Sequence, residues 1–230
     1  MRDLLQIVDA GRMPYRPAWD LQLQLHQRVL AEEADYAAGV LMLVEHPPVI
    51  TIGRRANAQQ NLLASPKMLE LRGVEVVETD RGGDITFHGP GQLVAYPIIN
   101  LNRYGLNLHA YMRFLEEAVI RTLGQFEISG ERSEGATGVW VRDPRAAASP
   151  DGLAKICAIG VKLRRWVTFH GIALNVTTDL SFFDLINPCG LGRPVTSMQR
   201  LLPRTCPAVD QVKRTLVDSF NAELAAMPQK

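Results

Sequence analysis

Residues 155–176 read KICAIGVKLRRWVTFHGIALNV, and this stretch decides the fold class. It contains two runs of mainly apolar and β-branched residues, 155–163 and 167–176, which are typical of strands. Further strands are predicted at 40–44, 49–52, 74–78, 93–101 and 138–141. Apolar residues at helical spacing predict helices at 17–34, 108–126, 180–186 and 208–226. Because strands dominate the middle and helices flank it, we predict an α/β (α+β) fold, a mixed β-sheet packed by helices.

The composition is that of an ordinary globular chain. Its 230 residues are 47% hydrophobic, and 25 basic against 24 acidic residues give a net charge of +1. This balance argues against a protein that coats nucleic acid. The longest apolar run, 40–44, is about a quarter of the length that a membrane span requires. The first serine is Ser65, unlike the serine-rich pattern of a transit peptide. We therefore expect a cytoplasmic chain with no nucleic-acid and no membrane partner.

Three cysteines, Cys157, Cys189 and Cys206, are spaced without a CxxC motif. Structural zinc sites usually need such paired spacing, so we expect no metal. Cys157 lies inside an apolar run, and both it and Cys206 fit the usual role of a small buried hydrophobic residue. Cys189 stands in Asn187-Pro188-Cys189-Gly190, where proline and glycine impose a turn that can project a thiol outward. Cys189 is therefore a candidate nucleophile, with a buried thiol as the alternative interpretation.

A glycine-rich segment at 80–92, DRGGDITFHGPGQ, is the densest signal in the chain. Glycine permits backbone angles that bring amides close to a ligand, and Arg81 and His88 add polar side chains. A tight connector between two strands is the alternative, but the length of the string favours a function. The segment lacks the GxxxxGK[ST] and GxGxxG patterns, so nucleotide binding has no direct support.

Two more features lie within residues 155–176. Lys155 opens a strand, where a lysine is normally a solvated edge residue, and it matters for chemistry only if the fold brings it to Cys189. Gly171, after His170, marks a bulge or a place where a ligand approaches the backbone. A packed strand is an equally good interpretation of the His170-Gly171 pair.

Four motifs in this order and spacing resemble the octanoyltransferases of lipoate biosynthesis, the lipoyl(octanoyl) transferases of LipB type. They are RGGDITFHGPGQLVAYPIINL from Arg81, KICAIGVKLRR from Lys155, FHGIALNV from Phe169 and NPCG from Asn187. Similar stretches at 43–55, 138–141 and 195–198 extend the resemblance to about residues 15–200. The departures are mild: Cys157 stands where serine or alanine is more familiar, and the loop at 142–152 is longer than in some relatives.

The resemblance implies a fold shared with biotin and lipoate protein ligases, and one catalytic domain over residues 1–230. Its core would span about 15–200, followed by the C-terminal helix at 208–226. It also implies that Cys189 carries the acyl group and that Lys155 lies beside it. The acyl pocket would be lined by Arg81, Gly82, Gly83, Asp84, Ile85, Thr86, Phe87, His88, Ala158, Ile159, Gly160, Gly171, Ile172 and Ala173.

The implied reaction moves an octanoyl group from the thioester of acyl-carrier protein to a lysine ε-amine. The implied acceptors are lipoyl domains of 2-oxoacid dehydrogenases and the glycine cleavage H protein. Because the donor is already a thioester, no ATP and no cofactor are required. Covalent catalysis would divide the transfer into two steps.

The residue types suit this chemistry. A cysteine pKa of about 8.5 leaves few thiolates at pH 7, and a lysine ammonium about 4 Å away stabilises the thiolate by roughly 4 kcal/mol at an effective dielectric constant near 20. A neutral Lys155 would instead take the thiol proton and later deprotonate the attacking amine. The sequence leaves both roles open.

An apolar pocket and a basic surface complete the predictions. Burying an octanoyl tail contributes up to roughly 5–6 kcal/mol, and Gly160 and Gly171 are expected to leave room for it, so that bulky residues there would shorten the accepted chain. Acyl-carrier proteins and lipoyl domains are generally acidic, which makes a set of basic residues candidates for docking. These are Arg54, Arg55, Lys162, Arg164 and Arg165, with a solvated strand edge as the equal alternative.

Three other functions compete with acyl transfer. An ATP-dependent lipoate or biotin ligase would share the fold and a lysine but need an adenylation site and no nucleophilic cysteine. A catalytically silent binding module for carrier or lipoyl domains would leave Cys189 unmodified. A cysteine hydrolase is a weaker alternative, because no acid partner for a Cys–His pair is evident.

Overall fold

The computed structural model describes residues 5–146, 149, 151–187 and 193–227. Within these ranges the chain forms strands β1 (Gln6–Arg12), β2 (Val40–Glu45), β3 (Val49–Ile52), β4 (Glu75–Glu78), β5 (Ile85–His88), β6 (Gln92–Ile98), β7 (Gly130–Ser133), β8 (Ala136–Arg142), β9 (Leu153–Arg164) and β10 (Val167–Asn175). The α-helices are α1 (Tyr15–Leu30), α2 (Pro66–Leu71), α3 (Leu108–Gly124), α4 (Met198–Leu201) and α5 (Val209–Ala226). Short 3₁₀ helices include Ala58–Asn61 and Leu180–Leu185.

Two sheets organise these elements. Seven strands lie side by side in the order β1-β2-β6-β10-β9-β8-β7, and three form a smaller sheet in the order β4-β3-β5. Both sheets are mixed, because β1 pairs with β2 and β3 pairs with β4 in parallel while their other pairings are antiparallel. The predicted mixed sheet packed by helices is therefore confirmed.

The long antiparallel pair β9–β10 forms the centre of the larger sheet. Its register places Ala158 opposite Ala173 and Gly160 opposite Gly171. This register is what brings small residues from two distant motifs onto one stretch of the sheet. A turn at Arg165 and Trp166, both with positive φ, joins the two strands.

Helices cover the two faces of the larger sheet. On one face, α3 and α5 pack into a core that includes Leu115, Val119, Leu216 and Phe220. The C-terminal helix is thus an integral part of the core. On the other face, α1 packs through residues such as Leu25 against β2, β6 and β10. Apolar residues three or four apart explain both contacts, because that spacing places them on one side of a helix.

Several elements differ from the predictions. β5 lies within the glycine-rich segment 80–92, where no strand is predicted, and it forms by antiparallel pairing with β3. β1 and β7 are edge strands with largely exposed or half-buried residues, so they lack the apolar pattern on which strand prediction depends. α2 lies where no helix is predicted, and at its start the Ser65 hydroxyl accepts a hydrogen bond from the Met68 N–H. The described helices include none with the length and apolar character of a membrane span.

Candidate active site

A cavity of about 430 Å³ lies where the smaller sheet meets β6, β9 and β10. Its floor includes Val94, Tyr96, Ala158 and Ala173 from the larger sheet, and its roof is the glycine-rich loop together with β5. The volume falls within the range of small-molecule sites, roughly 300–1,000 Å³. All but one of the predicted pocket residues line this cavity: Arg81, Gly82, Gly83, Asp84, Ile85, Thr86, His88, Ala158, Ile159, Gly160, Gly171, Ile172 and Ala173.

Phe87 is the exception, and its predicted place in the lining is corrected by the structure. Side chains alternate across a strand, so Thr86 and His88 of β5 face the cavity while Phe87 points to the other side. There its ring stacks on Phe182 with a centroid distance of 4.7 Å, within a separate apolar cluster.

The glycine pair also has a different role from the one predicted. A Cβ atom on Gly171 would lie 2.2 Å from the Ala95 carbonyl oxygen, and one on Gly160 would lie 3.0 Å from the Gly82 carbonyl oxygen. These glycines therefore allow backbone segments to approach closely, and they do not hold space open for a ligand. Ala158 and Ala173, paired across the strands, are the small side chains that keep the cavity floor low.

Lys155 lies in the same cavity wall. Its Nζ atom stands over the Trp140 ring, 4.7 Å from the centroid, a cation–π geometry. Its backbone pairs in parallel with residues 194–196, because the Lys155 N–H donates to the Pro194 carbonyl at 2.9 Å and the Thr196 N–H donates to the Lys155 carbonyl at 2.9 Å. The chain that follows the NPCG motif therefore returns to Lys155.

Cys189 lies outside the described residues, together with the rest of 188–192. The described residues on either side of this range stand near the cavity. Phe183 and Val195 line it, and the Asn187 N–H donates to Asn61, whose side chain in turn donates to Asp84 in the cavity wall.

The other two cysteines are poor nucleophiles. Cys157 is fully buried, and burial raises the pKa of its thiol to about 12. Burial also raises the pKa of the half-buried Cys206 thiol. Since the thiolate is the reactive form, the structure supports the interpretation of both as packing residues.

Arg81 is a buried cation in the cavity wall. Its Nη2 atom donates to the Thr51 carbonyl at 2.7 Å and to the Thr51 hydroxyl at 3.0 Å, and Nη1 donates to the Gly82 carbonyl. The loop is also tied to β9, because the Gly82 N–H donates to the Val161 carbonyl. These bonds hold the glycine-rich loop against β9 at Val161, beyond the stretch of β9 that pairs with β8.

His170 is built into the far wall with a strained backbone. Its φ of 56° allows Phe169 and His170 to point to the same side, where they contact His26 and Trp19 of α1. Its Nε2–H donates to the Asp80 carboxylate at 2.8 Å, and Lys162 pairs with the same carboxylate. The bond from His170 holds the pKa of Asp80 well below its usual range, while burial lowers the pKa of His170. Lys162, one of the candidate docking residues, is thus paired with a carboxylate of its own chain.

Sequence reasoning missed a cluster of aromatic and imidazole rings beside the cavity. Tyr15 stacks on His88 at 6.0 Å, His46 lies 5.8 Å from His88, and the Tyr96 hydroxyl bonds His46 Nε2 at 2.9 Å. Burial lowers the pKa of His46 to about 4 and that of His88 well below its ordinary value. The signal in the sequence is His46, which lies with Pro47 and Pro48 between the predicted strands 40–44 and 49–52. Among the described residues, no cluster of His, Cys, Asp or Glu side chains is placed to hold a metal ion.

Comparison with known proteins gives a consistent result. A family model described as the lipoyl protein ligase A/B catalytic domain matches residues 14–221. An octanoyltransferase of Flavobacterium psychrophilum is 43% identical over 229 residues, covering 96% of each chain. An octanoyltransferase of Chloroflexus aurantiacus is 48% identical over 222 residues, covering 95% of this chain and 93% of the relative.

Solved structures confirm the fold. A bi-partite lipoate protein ligase from Thermoplasma acidophilum superimposes with a TM-score of 0.71 at 16% identity, covering 97% of this chain and 85% of that one. A biotin protein ligase from Aquifex aeolicus, in complex with biotin and ATP, has a TM-score of 0.54 at 12% identity, covering 97% and 71%. At such identities the likeness concerns the fold alone, and it agrees with the predicted ligase-like architecture.

Proposed function

Because the chain belongs to the octanoyltransferases of the lipoyl protein ligase A/B family, we propose that it moves octanoyl from an acyl-carrier protein to a lipoyl-domain lysine through a thioester on Cys189. Acyl transfer itself follows from membership of the family. The proposal adds the donor, the acceptors, the covalent intermediate and the residues that act. Lipoyl domains of 2-oxoacid dehydrogenases and the glycine cleavage H protein are the proposed acceptors.

The observation that carries the proposal is the position of Lys155. It lines a cavity with a largely apolar floor, and its backbone pairs with residues 194–196, which follow the NPCG motif closely in the chain. A cation or base is thereby held beside residues 194–196, which begin five positions after the proposed nucleophile in the chain. No other cysteine of the chain competes for the role, because burial raises the thiol pKa of both Cys157 and Cys206.

The reaction divides into two balanced steps. In the first, the Cys189 thiolate attacks the carbonyl carbon of the donor thioester, a new C–S bond forms, and the carrier's C–S bond breaks as the carrier leaves as a thiolate. In the second, the acceptor amine attacks the same carbon, an amide bond forms, and the Cys189 sulfur departs with the pair of electrons and takes up the proton that the amine loses. One thioester replaces another in the first step, whereas amide formation drives the second.

The cavity floor suits the acyl chain. Val94, Ala158 and Ala173 present apolar surface, and each buried methylene contributes about 0.8 kcal/mol. Lys155 serves the chemistry either as an ammonium that favours the Cys189 thiolate or as a neutral base that accepts its proton. Both roles predict that removal of its amine lowers the transfer rate by about a thousandfold, a typical loss for a group that acts directly at the reacting atoms.

Intact-mass spectrometry after mixing with octanoyl-acyl-carrier protein tests the proposal. We expect the wild type to gain one octanoyl group, Cys189→Ser to form no thioester, and Lys155→Ala to acquire the group far more slowly. Cys206→Ser is the matched control and should behave as the wild type. Adding an apo lipoyl domain should discharge the group onto it.

Two outcomes would overturn the proposal. An unmodified wild type would favour a binding module, and transfer that persists in Cys189→Ser would exclude the thioester. Incubation with ATP and free octanoate separates the ligase alternative, because a transferase should form no product from them.

A further inference from the structure

A continuous chain of buried hydrogen bonds runs from the glycine-rich loop to the far end of the cavity. Its first half begins at Arg81, whose Nη2 donates to the Thr51 hydroxyl at 3.0 Å. That hydroxyl lies 3.3 Å from His88 Nε2, and His88 Nδ1 lies 2.7 Å from Gln92 Oε1. All four residues have less than a tenth of their surface exposed, so each bond forms away from bulk water.

The second half continues through β10 to the segment after the NPCG motif. The Gln92 amide donates to Asn175 Oδ1 at 2.9 Å, and the Asn175 amide donates to the Thr196 carbonyl at 3.0 Å. The Thr196 hydroxyl then donates to Asp143 at 2.7 Å. These residues are equally buried.

Every donor in this chain points the same way. An arginine only donates and a backbone carbonyl only accepts, so Arg81 and the Thr196 carbonyl fix the two ends, and the bond from the Thr196 hydroxyl to Asp143 is a separate one. The Gln92 amide nitrogen also donates to the Phe87 carbonyl, which fixes that side chain with its oxygen toward His88. His88 must therefore carry its proton on Nδ1 and accept at Nε2, and burial keeps the ring neutral by lowering its pKa. Bonds aligned in this manner polarise and strengthen one another.

The hydrogen-bond chain leads to Thr196 and helps to fix the position of this residue. Its carbonyl accepts from Asn175, its hydroxyl donates to Asp143, and its N–H donates to the Lys155 carbonyl. Three bonds from three different parts of the fold thus hold one residue against the backbone of Lys155. Two backbone hydrogen bonds join 194–196 to Lys155, and the bonds from the Asn175 amide and to Asp143 restrain Thr196 further.

We propose that Asn175 and Thr196 are positioning residues that set where Lys155 stands in the cavity. The proposal rests on the proposed function, since Lys155 must act in the transfer. Neither side chain needs to touch the reacting atoms. A displacement of a reacting group by about 1 Å costs on the order of a hundredfold in rate, which defines the size of the effect to seek.

Steady-state transfer kinetics with octanoyl-acyl-carrier protein test the inference. Thr196→Val keeps the side-chain shape but loses the hydroxyl, and we expect kcat to fall about 10- to 100-fold while KM for the donor stays within about threefold. Thr196→Ser restores the hydroxyl and should retain kcat within about threefold. Asn175→Asp places an acceptor against the Thr196 carbonyl and should resemble Thr196→Val.

Thr168→Val is the matched control. Thr168 is a fully buried threonine on β10, the strand that also contains Asn175. It is hydrogen-bonded to the backbone at Pro97 and Ile99 and is not part of the hydrogen-bond chain described above. Its valine variant should lose stability by a similar amount and keep kcat. A purely structural role for Thr196 would make the two valine variants alike.

The inference is overturned if Thr196→Val keeps more than a third of wild-type kcat, or if Thr168→Val loses kcat equally. Should Thr196→Val fail to fold, Asn175→Asp is judged by the same thresholds. Failure of the proposed function is distinguishable, because a wild type that acquires no octanoyl group, or a fully active Lys155→Ala, contradicts that proposal independently of these variants.

Discussion

The two faces of the seven-stranded sheet differ in what covers them. The helical face, toward α3 and α5, is packed with apolar side chains such as Leu115 and Phe220. On the cavity face, α1 covers one part of the sheet and the smaller sheet covers another, bringing Arg81 and His88 into the interior. One face supplies close packing, whereas the other encloses a cavity among polar groups that are costly to bury.

This difference explains why the cavity face is rich in side-chain hydrogen bonds. A buried polar group without a partner costs about 1–3 kcal/mol, so each side chain brought in by the smaller sheet needs a hydrogen-bond partner. Arg81 bonds Thr51 of the smaller sheet, whereas His88 bonds Gln92 of the larger one. Gln92 in turn bonds Asn175, which lies opposite it in β10. We therefore expect substitutions on the helical face to change stability and those on the cavity face to change transfer.

Phe220→Ala should give the largest effect and test the helical face. Phe220 is fully buried against Phe114 at 5.3 Å, and truncating a buried phenylalanine costs about 3–5 kcal/mol in the free energy of unfolding. Urea unfolding measures this loss, with Leu71→Ala, which is 78% exposed, as a control expected to change it by under about 0.5 kcal/mol. A large fall in kcat of the folded variant would contradict the division between the faces.

His46 provides a pH test of the cavity face. Burial lowers its pKa from 6.5 to about 4 in the folded chain, so below pH 6.5 the unfolded chain binds a proton that the folded chain does not. Stability attributable to this group is therefore complete above pH 6.5 and falls by roughly 3 kcal/mol as the pH reaches 4. The lowered pKa values of His26, His88 and His170 act in the same direction.

Urea unfolding at pH 7, 5.5 and 4.5 measures this dependence. His46→Gln should lose less stability between pH 7 and 4.5 than the wild type, because it lacks the one proton that His46 takes up on unfolding. The variant of the exposed His109, His109→Gln, is the control. Equal pH dependence in the wild type and His46→Gln would show that His46 accepts its proton without unfolding.

The motifs of the cavity were visible in the sequence, and their spatial relations were not. The stretch from Lys155 to Val176 predicted two strands, but the register that pairs Ala158 with Ala173 comes from contacts across the sheet. The side on which Phe87 faces also depends on the pairing of β5, a strand without a clear apolar alternation. Register decides which side chains share a face. The sequence therefore located the motif that forms the cavity wall but placed one of its residues, Phe87, on the wrong side.

The roles of Gly160 and Gly171 show the same limit. A glycine in a strand indicates close approach of something, and the sequence does not say whether a ligand or a neighbouring backbone approaches. The network through Thr196 was equally hidden, because its members come from five separate segments. Local patterns predicted the elements and the candidate chemistry, whereas long-range packing determines which residues hold the site in place.

Ala173→Leu sharpens the comparison within the cavity face. The larger side chain fills the floor opposite Ala158, so we expect the ratio of kcat/KM for octanoyl over hexanoyl donors to fall about 10- to 100-fold, as poor accommodation of a methylene or two would give. Gly171→Ala is the contrast, since its Cβ meets the Ala95 carbonyl and should lower stability without changing the ratio. An unchanged ratio in Ala173→Leu would place the acyl chain elsewhere.

The smallest effect concerns the rim of the cavity face. Arg54 and Arg55 are exposed, and Arg55 lines the cavity 3.7 Å from Asp84. Arg164 and Arg165 are also exposed, but Arg164 lies nine positions along β9 from Lys155, roughly 30 Å at the rise of a strand. If an acidic carrier docks over the cavity, Arg54→Glu with Arg55→Glu should lower kcat/KM about fivefold at low salt and flatten its salt dependence, because rim charges act mainly on association. The Arg164→Glu and Arg165→Glu pair should change kcat/KM less than about twofold. Equal losses in the two pairs would show that the carrier senses the overall charge of the protein rather than a surface at the cavity.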